Sequence, residues 1–64
     1  MLNVAVTLTD AIRTYAGYVT SVAAYRKERR YVLEQLAWHR RNGRTSSYYR
    51  SALLGLRFGL TVLR

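Results

Sequence analysis

Eight of the eleven cationic side chains in this 64-residue chain lie between Arg26 and Arg50: Arg26, Lys27, Arg29, Arg30, Arg40, Arg41, Arg44 and Arg50. Gathered this densely, such groups do one kind of chemistry unaided: they displace counterions from a polyanion. Glu28 and Glu34 are the only carboxylates in the window, so eight cations against two leave it at net +6. Residues 1–25 hold only Asp10 and Arg13 and are neutral. Ten of the eleven cations are arginine, whose planar fork meets phosphate in a bidentate way and never deprotonates. Phosphate binding is the chemistry these residues favour.

Other chemistries find no constellation. His39 has no serine or cysteine nucleophile placed with it, and Asp10, Glu28 and Glu34 are too scattered for an acid/base pair. The reading is therefore no enzyme and no catalytic residue. A single histidine and no cysteine exclude a zinc cluster and any disulfide. No metal or other cofactor is expected. His39, beside Arg40 and Arg41, reads as a further cation or a capping group.

The elements that must position the arginines read as helices. No proline occurs, and Thr7 or Thr9 can cap a helix whose first turn holds Asp10. Leu8, Ile12, Tyr15, Val19, Val22, Leu33 and Leu36 recur at steps of three and four, interrupted by Arg26 and Arg29. The spacing predicts one long helix from about residue 8 to 41, about 50 Å in length. Asn42-Gly43 reverses the chain, with Gly43 in the left-handed position that ends a helix. Thr45, Ser46 or Ser47 caps a return helix from about 47 to 63. On that helix Tyr49, Leu53, Leu56, Leu60 and Leu63 form an apolar stripe, and Arg50, Arg57 and Arg64 a polar one. The expected fold is all-α, a single helical hairpin over residues 1–64 with its charge at the tip.

A chain this short buries only about 60% of its unfolded surface. Half of the residues are nonetheless apolar or aromatic, too many for a disordered basic tail. With neither disulfide nor metal available, packing against copies of itself is the remaining route to stability. Ile12, Tyr15, Val19, Val22, Leu53, Leu56, Leu60, Gly55 and Gly59 are the expected subunit-packing residues. Gly55 and Gly59 form a GxxxG, a spacing that lets backbones approach closely. Gly17, Ala16, Thr20, Ala23 and Ala24 suggest the matching small-residue region. Tyr15, Tyr18 and Tyr25 read as core and interface, while Trp38, Tyr48 and Tyr49 flank the basic turn and could meet nucleic acid.

A signal peptide is not expected, because no basic start precedes an apolar core. Residues 14–25 are uncharged, but a window of the ~20 residues needed for a span brings in Asp10 and Arg13. The stretch Ser51 to Leu63 contains Arg57. A membrane partner is thus not favoured. The scarcity of thermolabile residues fits a hot habitat.

With LTDAIRTYAGYVTSVAAY as outer packing helix, YRKERRYVLEQLAWHRRNGR as basic segment and SALLGLRFGL as return helix, the chain resembles the small helical-hairpin major capsid proteins of rod-shaped or bacilliform archaeal viruses, the Clavaviridae type. The resemblance is one of architecture and composition. It implies many copies packed into a helical tube around double-stranded DNA, located in the host cytoplasm before assembly and in the virion shell after it. It also implies sequence-independent DNA contact by Arg26, Lys27, Arg29, Arg30, Arg40, Arg41 and Arg44. Two other readings share the composition: a membrane-active cationic peptide similar to leaderless or circular bacteriocins, and a small membrane-embedded subunit with a basic cytoplasmic segment.

Overall fold

The computed structural model describes residues 4–63, all of them in three helices and two short connections. Helix α1 spans Val4–Tyr18, α2 spans Val22–Arg41 and α3 spans Ser47–Leu63. Arg64, expected to continue the Arg50–Arg57 stripe, lies outside the described residues.

The fold is all-α, but it is a three-helix bundle and not a two-helix hairpin: the long helix expected over 8–41 is broken at residues 19–21. Thr20 donates its N–H to the Tyr18 carbonyl at 3.0 Å, and Ser21 enters an extended conformation (φ −162°, ψ 167°). The Ser21 hydroxyl then accepts the Ala24 N–H at 3.0 Å and caps α2. The physical reason is reach. The buried Ala11 and Leu36 are twenty-five residues apart, about 37 Å on a straight helix, whereas the seventeen residues of α3 span only about 25 Å. Folding back at Thr20-Ser21 lets this one helix cover the apolar residues of both segments. The break also divides the apolar row: Val19 is buried, while Val22 is half exposed.

The second reversal is where the sequence placed it. Gly43 has φ +66°, a left-handed value that glycine adopts without the cost of a Cβ. Its N–H reaches the Arg40 carbonyl, and the Arg44 N–H reaches that of His39 at 2.8 Å. Asn42 donates to Trp38 through both its backbone N–H and its Nδ2. His39, Arg40 and Arg41 occupy the last turn of α2, where positive charge complements the helix dipole.

Helix α3 lies between the other two, and α1 scarcely touches α2. Gly55 backs onto Ile12 and Gly59 onto Ala16 and Val19. Rising numbers meet rising numbers, so α1 and α3 run the same way where they touch. On its other side α3 meets α2 antiparallel, with Tyr49 against His39. Tyr15, Val19, Val32, Ala52 and Leu56 form the core, with Tyr25, Tyr49, Leu53 and Leu60 packed around it. The molecule is flat, with extents of 35 × 27 × 13 Å. Among the described residues only Leu56 and Val32 are large side chains buried in full, each contributing about 1.5–3 kcal/mol.

Candidate nucleic-acid interface

Helix α2 presents the arginines. A helix turns about 100° per residue, so Arg29, Arg40, Arg26, Arg30 and Arg41 fall, in that angular order, within about 120° of its circumference. The arc starts beside the buried Val32–Leu36 edge and runs to the opposite side. All five side chains are exposed, and among the described residues none of them forms an ion pair. Leu33 and Ala37 run through the middle of the arc, and Glu34 closes its far edge. Together with Tyr25, these residues and Arg26, Arg29 and Arg30 line a shallow open groove of about 750 Å³. Along the axis the arginines form two groups, Arg26–Arg30 and Arg40–Arg41, separated by about 15 Å.

The structure therefore brings together five of the seven residues expected to meet phosphate. Lys27 lies past Glu34, beyond the edge of the arc. Arg44 is held elsewhere: its guanidinium sits 5.5 Å from the centre of the Trp38 ring, on the far flank of α2. A cation over an indole face is attracted by the ring quadrupole, so this arginine already has a partner within the chain. Arg50 and Arg57 are exposed on α3, outside the α2 arc.

A line of aromatic rings runs from the end of α1 across the start of α3 to the end of α2. Tyr18 meets Tyr15 at 5.2 Å, Tyr15 meets Tyr48 at 6.3 Å and Tyr48 meets Tyr49 at 5.2 Å, all edge to face. The line continues through His39 to Trp38, each step 5.0 Å. Tyr15 and Tyr48, expected in separate core and nucleic-acid groups, thus belong to one cluster. Burial pushes the Tyr15 hydroxyl up to about 12, and the neighbouring Tyr48, Tyr31, Tyr49 and Tyr18 add to the effect. Burial likewise raises Tyr49, helped by the charge of Tyr31 and a hydrogen bond with its side chain. His39 is half-buried and turned into this cluster, its Nδ1–H donating to the Gln35 carbonyl at 2.8 Å. That carbonyl can only accept, which fixes the proton on Nδ1.

All but one of the residues expected to join subunits have places inside the chain, the exception being Val22, which is half exposed. Tyr15, Val19 and Leu56 are buried, Ile12, Leu53 and Leu60 are partly covered, and Gly55 and Gly59 lie under α1. Gly17, grouped with the small residues by sequence, has open space where its Cβ would be. What the sequence reading passed over is a row on α3: Leu54, Phe58 and Val62 are 57%, 60% and 69% exposed. Their i, i+4, i+8 spacing carries the signal, but it sits beside the equally apolar stripe that forms the core.

Among the described residues no three His, Asp or Glu side chains gather as metal ligands. No described helix is long and apolar enough to cross a membrane. No protein-family model, curated protein or solved structure matches this chain.

Proposed function

We propose that the chain is a structural protein that assembles with copies of itself and holds double-stranded DNA through the arginine arc of α2, as a small capsid subunit would. The observation that carries the reading is the placement of Arg26, Arg29, Arg30, Arg40 and Arg41 on one exposed third of a single helix, with no ion pair among the described residues. A helix in a groove or along a backbone offers that much of its surface to DNA, and the net charge of +8 favours encounter. The hairpin on which the likeness to rod-shaped capsids leaned is not the fold. The reading stands on the arc and the exposed apolar surface instead.

The arginine face carries no pattern for reading bases, so contact is to phosphate and independent of sequence. Fluorescence anisotropy with unrelated duplexes over a salt series tests this. Neutralising Arg26, Arg29 and Arg30 to glutamine shallows the salt slope by up to about three units per subunit. Arg57→Gln, outside the arc, changes it less. Equal effects from the triple and the single variant would place the interface elsewhere. Loss of dye leakage from vesicles in both variants, with DNA binding unchanged, would favour a membrane-active peptide.

A further inference from the structure

Phe58 and Val62 project from α3 beside a second open groove, of about 530 Å³, completed by Ala16, Gly17, Val19, Gly59 and Leu63. None of the residues lining it is charged, in a chain of net charge +8. We propose that this face pairs two copies of the chain about a twofold axis, with Phe58 of each copy seated against Gly17 of the other.

Three observations support a second copy as the occupant. The first is electrostatic: a second copy is also strongly cationic, and it can approach closely only where both surfaces carry no arginine. This groove meets that condition, whereas the groove of α2 is lined by Arg26, Arg29 and Arg30. Second, the face holds both halves of a self-complementary contact. Phe58 is a ring 60% exposed, and Gly17 is an exposed position with nothing within 4 Å of where its Cβ would be. A twofold contact needs a knob and a hole on the same patch, since residue i meets j while j meets i. The third is extent. Phe58, Val62 and Leu63 are 60%, 69% and 42% exposed, and Leu54, one turn earlier on α3, is 57% exposed. A continuous run of uncovered apolar side chains of this kind marks an interaction site.

The inference rests on the self-assembling reading above but names one surface for it. Sedimentation velocity without DNA, across a wide dilution series, separates the two. The parent chain is expected to dimerise. Phe58→Glu and Gly17→Leu are each expected to raise the dissociation constant roughly tenfold or more, the first by placing charge in the face and the second by filling the hole. Both positions lie outside the core, so helicity by circular dichroism stays at the parent value and DNA binding by single subunits persists. A parent chain that is monomeric throughout would overturn self-assembly itself. A parent dimer left intact in both variants would overturn this face and leave self-assembly standing. Binding of the parent chain to zwitterionic phosphatidylcholine vesicles, abolished by Phe58→Glu while the chain stays monomeric, would assign the face to lipid and overturn the pairing.

Discussion

Where α3 meets α1, backbone lies against backbone. A Cβ built on Gly55 would fall inside the Ile12 main chain, and one on Gly59 would lie 2.7 Å from the Ala16 carbonyl oxygen. Where α3 meets α2, side chains do the filling: Val32 and Leu36 from α2, Leu56 and Tyr49 from α3. A seam of the first kind has no slack, since a main chain cannot rotate aside as a side chain can. A seam of the second kind can repack. The two seams of one helix should therefore respond differently to substitution.

The largest effect is expected at Gly55. Replacement by alanine adds about 1 kcal/mol of helix propensity, yet the overlap with Ile12 should outweigh it and leave a net loss of about 2–3 kcal/mol. Gly55→Leu should abolish cooperative unfolding altogether. Urea titrations followed by circular dichroism measure both, and an alanine variant as stable as the parent would mean that α1 does not pack there. At the α2 seam, Val32→Ala should cost about 2 kcal/mol, with cooperativity and urea dependence retained. If Val32→Ala proves the more damaging, the contrast between the seams is inverted.

The tyrosines that bridge the helices give the comparison a pH dependence. Tyr15 loses its proton near 10 when unfolded and at about 12 in the bundle. Between those values the unfolded chain binds fewer protons than the folded one, so stability falls as pH rises. Its contribution is whole below pH 10 and is lost as pH passes 10 toward 12. Tyr15→Phe should flatten this part of the melting profile. A profile just as steep in the phenylalanine variant would move the titration to another group, of which Tyr49, raised in the same direction, is the first to examine.

How much of this was legible in the sequence depends on whether a signal was local. Gly43 and the helices around it were readable because a left-handed residue and its hydrogen bonds involve only a few neighbours. Gly55 and Gly59 announced close packing because glycine in a helix interior needs a compensating reason. Helical spacing put Arg26, Arg29 and Arg30 on one face, but the sequence reading also counted Lys27, which falls beyond the edge of the arc, and Arg44, whose capture by Trp38 depends on where a loop folds. The turn at Thr20-Ser21 was missed for a different reason. The apolar spacing continues across it from Val19 to Val22, residues 19–21 hold no proline or glycine, and Ala23 and Ala24 beyond it suit a helix. Only the length of α3 decides that the chain must fold back.

Ser21→Ala asks whether the cap or the packing makes that turn, and its expected effect is the smallest. Removing the hydroxyl leaves the Ala24 N–H without its 3.0 Å acceptor, a loss worth about 1 kcal/mol at a typical N-cap. Alanine also favours a continuous helix through residues 19–22, the arrangement that the apolar spacing suggests. If packing against α3 enforces the reversal, the variant should melt slightly earlier with unchanged helicity, because Gly55 and Gly59 still hold α1 in place. If the cap alone enforces it, helicity should rise and the seam should open, making Val19 accessible. Amide exchange at Val19 and Thr20 reads the difference directly: protection like that of a helix interior at both residues would show that the turn depends on Ser21 and not on the glycine seam.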